Sequence, residues 1–239
     1  LNESGNVNLS GINQADSLSL SSQTDGVSDV GATSVTVVGL TDVFGTTITL
    51  GDGVFNTGTL RFVASGAAII SEDSNTDITN DSTAGSLDLD STGTITDATA
   101  SIVAIVGLAD VTGTSITLGG GTLLAGSLTF NTAGAAIISE DSGTDIVGTN
   151  TANSLDLDST GDITDATATS VTITGLADVA GTSISLGGGT FNAGTLTFNT
   201  AGAATVSEDS DTDIAGTNTA NSLDLDSTGA INDATNASI

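Results

Sequence analysis

A long tandem repeat constrains this chain more than any other feature. The string Ser-Leu-Asp-Leu-Asp-Ser-Thr-Gly begins at Ser86, again at Ser154 and again at Ser222, at two equal intervals. Repeated units of this kind pack against their neighbours in arrays, so we predict a single continuous repeat array over residues 1–239. No atypical copy caps either end, and we therefore expect a longer array. The chain divides into a partial copy and three full copies, at residues 1–33, 34–101, 102–169 and 170–237.

Short runs within each copy alternate apolar and polar residues, as at 155–157 and 171–173. A period of two is typical of β-strands with one buried face. Breaks rich in Gly, such as residues 119–121, separate the runs and predict turns. Hydrophobic residues make up 37% of the chain, mainly Ala, Val, Leu and Ile, which suits a narrow core of short strands. We predict an all-β fold.

Two architectures could carry this pattern: a string of small β-sandwiches, one per copy, or a parallel β-solenoid. A sandwich made from one copy would have a small core, and the chain has no Cys to reinforce it. Sandwich strands are also normally longer than these runs. We therefore favour a parallel β-solenoid. Division of the repeat by three gives coils of about 23 residues, or about three coils per copy.

The net charge of −28, with Arg61 as the one basic residue, restricts the possible partners. Binding of nucleic acid or of an anionic membrane surface needs clustered Lys or Arg, so we exclude both. A field of this sign attracts metal cations and basic surfaces instead. No apolar run is long enough for a membrane span or a signal peptide, and we predict no direct membrane insertion by this segment.

Acidic residues recur with the repeat. Alternation predicts that the Leu side chains of the Ser-Leu-Asp-Leu-Asp motif are buried and that the Asp side chains point outward. Such Asp residues either form a solvated face, which keeps strand edges unpaired, or bind calcium, which prefers hard oxygen ligands. No cofactor is required in the first case. The candidate calcium ligands are Asp88, Asp90, Asp156, Asp158, Asp224 and Asp226. Further acids expected on this face are Glu140, Asp141, Asp145 and Asp165.

Catalysis finds little support, since the chain has no His, Cys or Lys and no standard nucleophile–base pair can form. Two carboxylates could act as a glycosidase pair, but the same pair recurs in every copy. Arg61 stands between Leu60 and Phe62 and is expected to point outward as a surface residue. We predict no enzyme, with a β-helix polysaccharide-active enzyme as a remote alternative. Ice binding by Thr rows is another alternative, although the rows are unevenly spaced.

The motifs Ser-Leu-Asp-Leu-Asp-Ser-Thr-Gly-x-Ile-x-Asp-Ala-Thr, Ser-Ile-x-Leu-Gly-Gly-Gly and Leu-Thr-Phe-Asn-Thr-Ala-Gly resemble the β-strand repeats of very large bacterial surface proteins. These are the filamentous-haemagglutinin-like adhesins and related exoproteins, and the resemblance covers essentially the whole chain. It implies a right-handed parallel β-helix, secretion, and a stalk, sheath or adhesive role. The heavy Asp content departs from the plainer Thr/Ala/Gly repeats of that family.

The expected function is therefore mechanical: a non-catalytic rod segment of a large secreted or cell-surface protein, as an adhesin stalk or a surface-layer or sheath component. The alternative is a subunit of a self-assembling extracellular filament, because bare strand edges permit packing against further copies. The expected partners are copies of the chain or other surface polymers, and the expected location is extracellular or on the cell surface.

Overall fold

The computed structural model describes residues 1–234 and 237–239, and every regular element in this part of the chain is a β-strand. It contains two compact units, Leu1–Gly126 and Ser127–Ile239. Within each unit the strands of successive coils pair in parallel, and most strands bury one side. The predicted all-β parallel β-solenoid is confirmed. No helix that could cross a membrane occurs among the described residues.

Fifteen strands lie wholly in the first unit, and a sixteenth, β16 (Thr122–Thr132), includes residues of both units. The fifteen are β1 Asn2–Glu3, β2 Val7–Leu9, β3 Ile12–Ala15, β4 Leu18–Ser22, β5 Val27–Asp29, β6 Ser34–Gly45, β7 Ile48–Leu50, β8 Val54–Ala64, β9 Ala67–Glu72, β10 Thr76–Ile78, β11 Asp81–Ala84, β12 Ser86–Ser91, β13 Thr94–Asp97, β14 Ile102–Gly113 and β15 Ser115–Leu118.

Twelve strands lie wholly in the second unit. They are β17 Ala135–Glu140, β18 Thr144–Ile146, β19 Thr149–Ala152, β20 Ser154–Ser159, β21 Ile163–Asp165, β22 Ser170–Gly181, β23 Ile184–Leu186, β24 Thr190–Thr200, β25 Ala203–Glu208, β26 Thr212–Ile214, β27 Ser222–Ser227 and β28 Ile231–Asp233.

A buried row of side chains in the first unit shows how the coils stack. Val7 pairs with Val27, Val27 with Ile48, Ile48 with Ala68, and Ala68 with Leu87. All five side chains are buried, so the row forms part of the apolar core. Successive members of the row are close to 20 positions apart along the chain. The coils are thus slightly shorter than the length predicted from the sequence, and each copy covers a little more than three of them.

Because the repeat is not a whole number of coils, successive copies of one motif lie in different stacks of strands. In the second unit β20 pairs with β17 and β22, whereas the next copy of its motif, β27, pairs with β25. Strand β25 belongs to the stack of β23 and β21. The two copies are therefore presented on different sides of the same unit.

Burial of the motif leucines follows the prediction except in the last copy. Leu87, Leu89, Leu155 and Leu157 are buried, whereas Leu223 is 37% exposed and Leu225 is partly exposed. The prediction was wrong for this third pair because β27 lies in the last coil and has a paired neighbour on one side only. A paired neighbour on one side suffices in the first coil, where Val7 is buried, but it leaves the leucines of β27 uncovered.

Candidate functional site

Outward Asp residues of the second unit form a cluster across two coils. Asp156 and Asp158 are exposed on β20, while the leucines between and beside them are buried, as the alternation predicts. Asp156 pairs in register with Asp178 of β22, and Asp158 pairs with Ala180. The structure therefore adds a third carboxylate to the predicted pair. We call Asp156, Asp158 and Asp178 the Asp156 cluster.

The first unit contains the same arrangement, the Asp88 cluster, formed by Asp88, Asp90 and Asp110. Asp88 of β12 pairs with Asp110 of β14. Sequence reasoning missed Asp110 and Asp178, although both recur within a Gly-Leu-Ala-Asp string. The recurrence is visible in the sequence, but the sequence does not show that Asp110 pairs with Asp88 and that Asp178 pairs with Asp156. The third predicted pair, Asp224 and Asp226, is exposed on the last coil.

Partial burial and mutual repulsion affect the ionisation of both clusters. Partial burial is the main cause that raises the pKa of Asp178, and the charges of Asp156 and Asp158 raise it further. Burial, followed by the charge of Asp158, raises the pKa of Asp156. The same causes raise the pKa of Asp88 and of Asp110 in the other cluster. A bound cation or protonation would therefore relieve the repulsion in each cluster and stabilise it.

Stability should fall as the pH rises above the ordinary Asp pKa of 3.8. A carboxyl group with a raised folded pKa contributes stability that is fully present below its ordinary value of 3.8 and is lost as the pH rises through the folded value. We expect less than about 1 kcal/mol per group, because solvent screens exposed charges. Thermal unfolding measured from about pH 3.8 upward tests this, and Asp156→Asn/Asp178→Asn should flatten the profile. An equally steep profile in that variant would refute the assignment to these acids.

Among the described residues no group of three or more His, Cys, Asp or Glu side chains is arranged to hold a metal ion. Calcium binding by the six predicted Asp residues therefore stays a prediction. If it occurs, the carboxylates of Asp156, Asp158 and Asp178 are the ligands that one strand pairing brings together in the second unit.

Calcium, if bound by the folded chain alone, should raise the free energy of unfolding by about 1.4 kcal/mol when its concentration is tenfold above Kd. The measurement is thermal unfolding in millimolar calcium against chelator at matched ionic strength. Asp156→Asn/Asp158→Asn should lose part of the gain. If sodium at the same ionic strength stabilises the chain equally, the acids form only a solvated face.

Glu140, expected on the solvated face, is buried instead, and that prediction was wrong. Its carboxylate accepts hydrogen bonds from the hydroxyls of Ser142 and Thr144, both at 2.7 Å.

Glu72, one copy earlier, accepts bonds from Thr76 at 2.6 Å and from the backbone N–H of Thr57 at 2.9 Å. This N–H lies beside a register shift in the β6–β8 pairing, and the carboxylate serves as its acceptor. Burial raises the pKa of Glu72, partly offset by these bonds.

Asp165, which was also expected on the solvated face, binds the backbone instead. Its Oδ1 accepts the backbone N–H groups of Gly187 at 3.0 Å and Gly188 at 2.9 Å, and its Oδ2 accepts that of Gly189 at 3.2 Å. The carboxylate thus links one coil to the turn of the next. Of the other acids expected on this face, Asp141 is exposed and Asp145 is half-buried.

Arg61 points outward between buried Leu60 and Phe62, as predicted. Its Nη1 donates to Asp42 Oδ1 at 2.8 Å, and its Nε donates to the backbone carbonyl of Asp81 at 3.1 Å. Asp42 has the same position in its copy as Asp110 and Asp178 have in theirs. The first full copy therefore carries an internal ion pair at the repeat position where later copies carry an acidic cluster.

A groove of about 780 Å³ runs over successive coils of the second unit. Small and hydroxylated side chains dominate its lining, and buried Glu140 borders it. Thr182 and Thr200 of the lining are joined by a bond from the Thr200 hydroxyl to the Thr182 carbonyl at 2.7 Å. The lining has neither an aromatic nor a basic side chain, and most of the surface that it exposes is apolar.

Comparison with known proteins finds no family model, no curated protein and no solved structure that matches this chain.

Proposed function

We propose that this chain is a non-catalytic structural segment of a large secreted or cell-surface protein, as an adhesin stalk or a component of a surface layer or sheath. It requires no cofactor for this role. The resemblance of its motifs to filamentous-haemagglutinin-like repeats supports the extracellular location and the adhesin type. The net charge of −28 keeps the surface solvated and opposes aggregation.

The observation that carries the proposal is the way in which successive coils are joined. Parallel strand pairing links each coil to its neighbours within a unit, and acidic side chains add further bonds between coils. Asp97 accepts the backbone N–H groups of three consecutive glycines one coil later, at 2.8 to 3.0 Å. Because many such bonds must break together before two coils separate, the stack is suited to carry load.

Removal of one full copy, residues 102–169, tests whether the segment acts as a spacer. We expect the shortened chain to fold and to remain in its native surface assembly, because the deletion joins positions that are equivalent in the repeat. The matched control removes half a copy, residues 102–135, which brings unlike strands together and should destabilise the array. Circular dichroism and electron microscopy of the native material are the measurements.

Immunolabelling with antibodies against this chain tests its location. We expect labelling of the outer surface of intact cells. Labelling confined to the cytoplasm would contradict the proposal. An enzymatic activity of the intact chain that disappears when one copy is removed would contradict it as well. Ordered polymers formed by the purified chain alone would favour the alternative of a self-assembling filament.

A further inference from the structure

The ion pair of Arg61 provides an internal example of how this surface holds a cation. Leu40, Asp42 and Arg61 line one cavity of the first unit, and the guanidinium bonds to the Asp42 carboxylate at 2.8 Å. In the pairing of β6 with β8, Asp42 stands directly opposite Arg61. A Leu two residues before the Asp, together with the carboxylate, thus forms a seat for an arginine side chain.

The second unit repeats this seat without the arginine. Leu176 and Asp178 occupy the positions of Leu40 and Asp42 two copies later, and Thr197 replaces Arg61 opposite the Asp. Asp178 also has a carboxylate beside it, since its other partner is Asp156, whereas Asp42 has Ser19. The seat in the second unit is therefore more acidic, and Thr197 cannot neutralise it.

Apolar side chains complete this surface. Ile137, Asp156, Leu176 and Asp178 line a shallow cavity of about 210 Å³. Ile137 is 42% exposed and Leu176 is 39% exposed, so both present apolar surface to solvent beside the two carboxylates. A ligand that matches needs an apolar stem and a cationic head. Arginine has both, and its planar guanidinium can bond to two carboxylate oxygens at once.

We propose that Ile137, Asp156, Leu176 and Asp178 form a docking surface for an arginine side chain of a partner protein, presented on an extended basic segment. The extended form follows from Asp156 and Asp158, which are two residues and about 6.6 Å apart along one strand. Alternate residues of an extended peptide have the same spacing, so a second basic residue can reach Asp158. The inference goes beyond the mechanical role and does not depend on it.

The first unit offers a second surface of the same composition, formed by Ile69, Asp88, Leu108 and Asp110. Ile69 is 43% exposed and pairs with Asp88, which pairs with Asp110. Two surfaces on one chain allow one of them to be altered while the other serves as an unaltered control.

The test is an NMR titration of the full chain with the peptide acetyl-Thr-Arg-Thr-Arg-Thr-amide, which follows the amide signals of Leu176 and Leu108 separately. We expect shifts at both residues and weaker binding at higher salt. A peptide with neutral citrulline in place of arginine should not bind. Asp156→Asn/Asp178→Asn should weaken binding at Leu176 about tenfold, since each exposed ion pair contributes a factor of about two to five. Binding at Leu108 should stay unchanged.

Thr197→Arg supplies the missing arginine from within the chain and should abolish peptide binding at Leu176. Ser185→Arg, an outward position on another stack, changes the net charge equally and should leave binding intact. The proposal is overturned if the citrulline peptide binds equally well, or if the Asp156→Asn/Asp178→Asn variant keeps its affinity at Leu176. It is also overturned if these residues respond to calcium at matched ionic strength and not to the arginine peptide.

Discussion

Replacement of Leu155 by Asp is expected to lower the free energy of unfolding by about 3 to 5 kcal/mol, mainly through lost burial. Leu155 is 2% exposed and lies between Ala136 and Ala177, which are both buried. The substitution removes the burial of a Leu side chain, which alone costs about 2 to 5 kcal/mol. It also places a carboxyl group among apolar neighbours without a hydrogen-bond partner. In that environment the ionised form is strongly disfavoured, and even the neutral form loses its hydrogen bonds to water.

Leu223→Asp is the matched control for this change, because it occupies the same motif position. Leu223 is 37% exposed and pairs with Ala204 on one side only. We expect a loss of about 1 kcal/mol or less there, as for most exposed substitutions. Urea denaturation followed by circular dichroism measures both variants. Equal losses at the two positions would contradict the stacking of Leu155 between two coils.

Gly53→Ala should destabilise the first unit by about 3 kcal/mol or more, at the upper end of the cost of overpacking. A Cβ atom at Gly53 would lie 2.0 Å from the backbone oxygen of Thr33. That oxygen accepts a hydrogen bond from the N–H of Val54 at 2.8 Å. Because the obstacle is backbone and not the end of a flexible side chain, two coils must separate locally to admit the methyl group.

Gly31→Ala, at a position where an added Cβ meets no atom within 4 Å, is the control in the same unit. We expect it to be neutral or to stabilise the chain by up to about 1 kcal/mol, since Ala restricts the unfolded chain more than Gly does. Thermal unfolding of both variants is the measurement. A neutral Gly53→Ala would mean that adjacent coils are less closely packed at this turn than the structure shows.

Several features of the site follow from local pattern alone. The alternation over residues 154–159 predicts an inward Leu157 and an outward Asp158, because successive side chains of a strand point to opposite faces. The same reasoning places Arg61 on the outside. For Glu140 the error was to place an acid outward by residue type, because β17 alternates and buries Ala136, Ile138 and Glu140 on one side. The hydroxyls of Ser142 and Thr144 bind the buried carboxylate.

The contacts between coils depend on the length of each coil. The interval along the chain from Asp156 to its partner Asp178 is longer than the interval from Ala177 to its partner Leu196. The geometry of the turns sets these intervals, and they cannot be read from the period of the tandem repeat. For this reason the sequence predicts two Asp residues in each motif, and the structure brings a third one to them.

The amino-acid sequence by itself determined the repeat, the strands, the parallel solenoid and the inward or outward direction of most side chains. These properties depend on residues that are close together along the chain, or on the recurrence of one pattern. Tertiary structure alone decided that Asp178 joins Asp156 and that Leu223 is not buried. These outcomes depend on which coil lies above and which lies below, because a side chain in a stack is buried, neutralised or repelled by residues of the adjacent coils, far away along the chain.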